Sequence, residues 1–337
     1  MARVVRIRNG GGFEHLSIED QEVSAPGPGE VQVRWHATSL NFHDYLVAAG
    51  QIPVADGRVP MSDGAGEIVA VGTDVSQWQV GDRVMSTFFP GWREGAPTLP
   101  GMMAVAGETV DGFAVERSNV AADSITAIPD GYTFAQAATL PCAALTAWRA
   151  LVVEGRIKAG DSVLVEGTGG FSLFCLQIAK AAGAEVYATS SSTEKLDKLT
   201  ALGADHVINY REDENWGKTV LKMSGGGVDH VIDVGGGATI YQSTEAAKIG
   251  GHIVLVGILG GRKGEIVFPK YFFKQLRLSG IAVGSHAMQR DMVAAINVNG
   301  FTPVIDRSFE LDALADAFAY QASNQQFGKI VVEYGGE

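Results

Sequence analysis

The feature that most constrains this chain is a short apolar run that breaks abruptly into glycine. Val163-Leu164-Val165-Glu166 is followed by Gly167-Thr168-Gly169-Gly170-Phe171-Ser172 and then by a helical pattern. Phe171, Phe174, Cys175, Ile178, Ala179 and Ala182 recur at i, i+3, i+4 spacing, which predicts an amphipathic helix over Phe171 to Ala182, closed by Gly183. A strand that turns at once into a helix needs glycine at the turn, and the helix then offers unpaired N–H groups at the positive end of its dipole. Such a corner accepts a pyrophosphate, because no Cβ stands between backbone and anion. A second strand-like run, Glu185 to Thr189, supplies the context that such a loop requires. The last glycine of the usual G-x-G-x-x-G falls on Ser172, a position that serves helix–strand packing more than phosphate approach. A glycine turn without ligand, another nucleotide, and S-adenosylmethionine are the competing readings.

From about Asp161 onward six apolar runs alternate with helical stretches: SVLVEG, EVYATS, HVIN, HVIDVG, HIVLVG and LSGIAVG. That alternation predicts an α/β fold with a doubly wound parallel six-stranded sheet of the Rossmann type. Before about Val120 the runs VVRIRN, VQVRWHA, EIVAVG and GDRVMSTFF are broken by Gly and Pro, which predicts a β-rich domain. Two further helices are expected between Asp291 and Gln321, and a closing strand in FGKIVVEYG. The 337 residues favour two domains, and 43 glycines, nearly twice the roughly 7% usual share, call for many tight turns. A net charge of −12 removes the electrostatic footprint of a nucleic-acid binder, so an anionic ligand must be held locally. The longest apolar stretches fall far short of the roughly 18 residues a membrane helix needs, and two cysteines make no disulfide framework. A cytoplasmic protein without membrane or nucleic-acid partners is expected.

An NAD-preferring site places a carboxylate at the end of the second strand. Here Thr189 runs into Ser190, Ser191 and Ser192, with Lys195 one turn on, a set better suited to the 2′-phosphate of NADPH (NADP+). Ser191 and Glu194 also fit a capping box for the next helix. Tyr210 follows the third strand and is a candidate neighbour of the adenosine end. Gly235, Gly236, Gly257 and Ile258 end the fourth and fifth strands, where such a sheet opens a crevice.

Taken together, PGPGEVQVRWHATSLNFHDYLVAAG, SDGAGEIVAVGTDVSQWQVGDRV, LPCAALTAWRAL, the glycine loop, LGADHVINY, GVDHVIDVGG and the terminal GKIVV resemble the medium-chain dehydrogenase/reductase superfamily, and within it the zinc-lacking, quinone oxidoreductase-like branch. The resemblance implies a GroES-like substrate domain over 1–127, a Rossmann domain over 128–284, and a segment 285–337 that completes the first, with the active site in the cleft. It places Asn41, Ser62 and Cys142 where zinc-dependent relatives hold their metal, so no metal is expected, since one thiolate cannot make a three-ligand zinc site. The nucleotide residues implied are Thr146, Gly167, Thr168, Gly169, Gly170, Phe171, Ser172, Ser190, Ser191, Lys195, Tyr210, Gly235, Gly236, Gly257, Ile258 and, at a phosphate, Lys329. Asn41 is the candidate for orienting substrate or the nicotinamide ribose, His43 for a proton relay or ribose binding with a structural histidine as the competing reading, and Tyr45 for proton donation. The activity expected is NADPH-dependent hydride transfer to an enone or quinone. Carbonyl reduction or alcohol oxidation on the same scaffold, and a non-catalytic NADPH sensor, are the alternatives. A homodimer formed through the edge strand near Leu276 to Val283 is expected.

Overall fold

A computed structural model describes residues 1–335. Seven strands come first: β1 Ala2–Ile7, β2 Leu16–Gln21, β3 Glu30–Ser39, β4 Ala65–Val71, β5 Arg83–Ser86, β6 Arg117–Ala121 and β7 Ile125–Ala127. Six more, β8 Ser162–Glu166, β9 Glu185–Ser190, β10 His206–Asn209, β11 Val228–Asp233, β12 Ala247–Leu255 and β13 Arg277–Gly280, alternate with helices. β14 Ile305–Glu310 and β15 Lys329–Glu333 follow. No helix among the described residues is long and apolar enough to cross a membrane.

The chain divides into two compact units, Met1–Leu145 with Val283–Glu337, and Thr146–Ala282. In the first, β3 is the hub of a seven-stranded sheet, pairing antiparallel with β15, β4 and β6. Its alternate side chains Val31, Val33 and Trp35 are buried, as the period of two demands, and Trp35 Nε1 keeps a partner in Ser118 Oγ at 2.8 Å. Because β15 pairs residue for residue with the end of β3, Val331 opposite Ser39, the C-terminal strand lays Lys329 beside Leu40 and Asn41. The unit boundary lies at Leu145 rather than at 127. The helix Phe134–Ala138 packs on β3, and Ser39 Oγ donates to Ala138 O at 2.9 Å.

The second unit carries a parallel sheet in the order β10-β9-β8-β11-β12-β13, the doubly wound arrangement, with its order reversing between β8 and β11. The helix after the glycine loop runs Gly170–Ala181 and buries Leu173, Phe174, Cys175, Ile178 and Ala179. Gly183, at φ +78°, ends it in the left-handed conformation that only glycine takes without strain. The two helices expected between 291 and 321 are His286–Asn299 and Leu314–Ala322, with β14 between them. Two local expectations change. The LSGIAVG run yields only Arg277–Gly280 as strand, because Val283 turns to φ +45° and breaks the extended path. The next-to-glycine-loop helix, Thr193–Ala201, is capped by Ser192, whose Oγ accepts from Lys195 N at 3.4 Å, and not by Ser191 with Glu194.

Candidate active site

β3 ends at Ser39 and the helix Phe42–Ala48 starts three residues later, with Asn41 as its extended N-cap. Asp44, one turn into that helix, accepts the Asn41 N–H at 2.9 Å, the Ser62 N–H at 2.8 Å and the Ser62 hydroxyl at 3.2 Å. One carboxylate thereby fixes two segments of chain. Ser62 follows Met61, a buried residue at φ +80°, where a side chain costs roughly 1–3 kcal/mol of backbone strain. That strain persists because Phe113 N donates to Met61 O at 2.9 Å.

Asn41 is the centre of the cluster. Its Nδ2 donates to Ser62 Oγ at 3.1 Å and to Asp63 Oδ2 at 2.8 Å, and its Oδ1 accepts from Lys329 Nζ at 2.6 Å. Lys329 Nζ also donates to Leu40 O at 2.7 Å, and Ser39 Oγ, whose single hydrogen is shared between Ala138 O and Asp63 Oδ2, lies 3.2 Å from the latter. Lys329, expected at a phosphate, thus sits buried in the first unit, 4% exposed, with its ammonium on the carboxamide of Asn41. Its sequence neighbours Gly328 and Ile330 carry no sign of this, since the contact spans 288 residues.

Burial pushes the Lys329 ammonium down, while Asp63, Cys142 and Asp44 oppose the shift. The Asp63 carboxyl is pushed up to about 7, by burial first and by Asp44 next, against the ammonium and the Asn41 and Ser39 donors. Burial raises Asp44 as well, against His43 and the Ser62 and Asn41 donors. One ammonium cannot neutralise two carboxylates in a buried site. Among the described residues Asp63 Oδ1 is buried without a hydrogen-bond partner, whereas Asp44 is met by three donors, so the proton that balances the cluster belongs on Asp63.

The three positions tied to zinc by resemblance do not suit that metal. Asn41 offers a carboxamide already engaged at every polar atom, and Ser62 a hydroxyl. The Cys142 thiol is pushed well up by burial and by Asp63, so it stays protonated, which opposes ligation. An ammonium beside them repels a dication. Among the described residues, no three or more His, Cys, Asp or Glu side chains gather as a metal site. His43 lies near the same helix start, with Nε2 3.3 Å from Glu108 Oε2 but outside hydrogen-bond geometry, and its ring meets Phe88 edge-on at 5.6 Å. Tyr45 packs against Phe13 and Phe42 at 5.6 and 6.0 Å.

In the second unit the glycine corner has the form a dinucleotide needs. Gly167 takes φ +77°, and a Cβ on Gly169 would meet nothing within 4 Å, so the backbone before the helix is open to a ligand. Ser172, in place of the third glycine, donates from Oγ to Glu166 O at 2.7 Å and so pins helix to strand. Thr168 is buried, Gly170 is the first residue of the helix and Phe171 is half-buried. Ser190 ends β9 and is buried, its carbonyl accepting from Tyr210 N at 3.1 Å, while the Tyr210 side chain is exposed. Ser191 and Lys195 lie at the start of the next helix. Gly235 and Gly257 are required by the protein itself: added Cβ atoms would stand 2.4 Å from Thr239 and 2.2 Å from Val234 O. Gly236 takes φ +67°, Ile258 is exposed, and Thr146 is buried at the start of this unit.

A raised carboxyl contributes stability at low pH that is lost as pH climbs from the ordinary 3.8 to about 7. Asp63→Asn removes that titration. The variant should therefore gain stability relative to wild type as pH rises from about 4.5 to about 7.5, followed by urea denaturation across that range. Parallel pH profiles for the two proteins would show that Asp63 does not hold the proton.

Comparison with known proteins places these features. Residues 27–130 match the family described as alcohol dehydrogenase GroES-like domain, and residues 170–298 the family described as zinc-binding dehydrogenase. A zinc-type alcohol dehydrogenase-like protein of Schizosaccharomyces pombe is 40% identical over 332 residues, covering 96% of each chain. A crystal structure from Sinorhizobium meliloti 1021 superposes with a TM-score of 0.93 at 38% identity over 98% of both chains. The crystal structure of an NAD-dependent alcohol dehydrogenase gives 0.91 at 32% identity, covering 99% of this chain and 100% of that one. A GroES-like unit, a doubly wound nucleotide unit and these full-length likenesses make the chain an oxidoreductase of the medium-chain dehydrogenase/reductase superfamily.

Proposed function

We propose that this chain is an NADPH-linked reductase of an electron-poor C=C bond or a quinone, working without zinc. The observation that carries the reading is the buried Lys329 ammonium on Asn41, at the positions where zinc-dependent relatives gather their ligands. A bound nicotinamide dinucleotide supplies the hydride; the protein supplies position and charge. Gly167, Gly169 and the helix start at Gly170 receive the pyrophosphate, and Ser190, Ser191 and Lys195 the 2′-phosphate.

Lys329 withdraws electron density from the Asn41 carboxamide through its 2.6 Å contact, which makes the Nδ2 hydrogens stronger donors. The longer of the two Nδ2 contacts, that to Ser62 Oγ at 3.1 Å, is the one a substrate oxygen can replace. Donors of this kind are each worth about 3–4 kcal/mol to a developing anion in an organised site. That suits an acceptor that spreads its charge over an enolate, more than a ketone that concentrates it on one oxygen. His43, at the edge of the cluster, is the proposed proton relay through its ring nitrogens, with Tyr45 on the same helix as the proposed hydroxyl donor. A second reading, carbonyl reduction or alcohol oxidation, is favoured by the likeness to an NAD-dependent alcohol dehydrogenase. Thr146, Phe171, Tyr210 and Ile258 complete the proposed nucleotide contacts.

Steady-state kinetics with matched enone, quinone and ketone substrates separate the two readings. Enone or quinone turnover should lead, should persist after chelator dialysis, and should fall about 100-fold or more in Asn41→Ala. Faster ketone or alcohol turnover, or a stoichiometric zinc ion by elemental analysis, would promote the second reading.

Cofactor choice has its own check. NADPH should bind more tightly than NADH by fluorescence titration, and Ser190→Asp should weaken NADPH selectively, through repulsion of the 2′-phosphate. Equal wild-type affinities would remove the basis for NADPH.

The proposed assembly is a homodimer through the outer edge of β13, which among the described residues pairs only with β12 and lies in a unit that exposes Phe268, Phe272 and Phe273. Light scattering at micromolar concentration should give twice the 35.5 kDa chain mass; a monomer would reject it.

A further inference from the structure

Beneath the glycine corner two buried carboxylates face one hydroxyl. Glu166 closes β8 and Asp233 closes β11, the two strands between which the sheet order reverses, and the side chains are 3% and 0% exposed. Ser243 Oγ, on the helix Ile240–Ala246, stands 2.7 Å from Glu166 Oε1 and 2.7 Å from Asp233 Oδ2. Asp233 Oδ1 accepts two further donors, the Gly236 N–H at 2.8 Å and the Thr239 hydroxyl at 2.7 Å. Glu166 Oε2 receives a long contact from Val234 N at 3.4 Å, and the Gly235 N–H also faces this carboxyl.

A hydroxyl has one hydrogen. With both carboxylates ionised, one of them would face an oxygen lone pair at 2.7 Å with no proton between, and two anions would share a buried site. Among the described residues, the groups bonded to the pair are hydroxyls and backbone N–H groups, none of them a cation. The hydroxyls of Ser243 and Thr239 bond the pair, Tyr271 feels the charge of Asp233 while its hydroxyl is hydrogen-bonded to that of Thr244, and Glu245, on the same helix as Ser243, is already joined to Lys270. Asp233 has the donors that sustain an anion, so the proton resides on Glu166. It is then donated to Ser243 Oγ, which donates in turn to Asp233.

We propose that Glu166 is a positioning residue for the dinucleotide, holding a proton that ties the end of β8 to the turn after β11 and keeps a second negative charge from beneath the glycine loop. The proposal rests on the reading of that loop as a dinucleotide site. The tie is mechanical as well as electrical. Glu166 O accepts the Ser172 hydroxyl at the helix start, Gly167 follows Glu166 directly, and Val234 N and Asp233 carry the opposite turn. Ionisation of Glu166 therefore disturbs both turns and places an anion under a loop that must receive phosphates. Burial first, and Asp233 second, hold the Glu166 carboxyl up at about 8, within reach of ordinary buffers. By linkage, binding an anion raises it further, so a proton is taken up on binding near that pH.

NADPH titration of the full chain by nucleotide fluorescence, at about pH 7 and about pH 9, reads this directly. Wild-type affinity should fall about 10-fold across the interval, one pH unit above the titration being a factor of ten. Glu166→Gln, which keeps the shape and cannot ionise, should lose that dependence, holding its Kd constant within about 2-fold. Calorimetry on wild type at about pH 8 in two buffers of different ionisation enthalpy should show proton uptake, an arm that needs no variant to fold. Equal wild-type affinity at both pH values with no proton uptake would overturn the proposal alone, as would a Gln variant with the wild-type pH dependence. Failure of both NADPH and NADH to bind at pH 7 would overturn the dinucleotide reading, and this proposal with it.

Discussion

A lysine ammonium taken out of water must find oxygen atoms to replace its hydration, and the first unit of this protein is organised around that requirement. Lys329 reaches Leu40 O and Asn41 Oδ1 only because β15 is in register with the last residues of β3. Asn41 passes the constraint on to Ser62 and Asp63, Asp44 braces both ends, and the strained Met61 is tolerated because its neighbours are held from several sides. A buried ion network of this sort is weak evidence for stability, since desolvation offsets much of the attraction. Its physical effect is specificity of arrangement. Removing any one member leaves a buried charge or a buried donor unmatched.

Much of the second unit was legible in the sequence because its signals are local. Strand, glycine turn and helix occupy consecutive residues between Ser162 and Ala181, and the six apolar runs translate into six parallel strands. Ser172 shows how far such reading goes. A small side chain at the third glycine position was expected to be tolerated, but its hydroxyl bond to Glu166 O depends on geometry that spacing alone does not carry. The helix cap moved by one residue, from Ser191 to Ser192, because adjacent serines offer equivalent chemistry and only the backbone path chooses between them.

The first unit was legible in outline and not at its centre. Asn41, Ser62 and Cys142 could be placed by resemblance, yet the group that gives the cluster its charge comes from the last strand of the chain. A lysine in an apolar strand run usually reads as a solvent-facing end. Here the antiparallel partner of β15 decides the matter, and that partner lies some 290 residues earlier. Likewise, Glu166 and Asp233 each read as polar strand ends. Their common hydroxyl, Ser243, sits in a helix whose docking no periodicity reveals.

The return of β15 to β3 also has a consequence for synthesis. The first 145 residues emerge with Asn41, Ser62 and Asp63 in place and the cation that matches them absent, because Lys329 is encoded after the whole nucleotide unit. At roughly 5–20 residues per second on a ribosome, that interval lasts on the order of 10–40 s. Until then the sheet has an open edge at β3 where β15 will pair, and the Asp44 carboxylate has no buried counter-charge. The intervening unit, contiguous in sequence from Thr146 to Ala282, faces no such wait. The order of assembly is thereby written into the topology: the nucleotide unit can close on itself first, and the unit that begins the chain is the last to be finished.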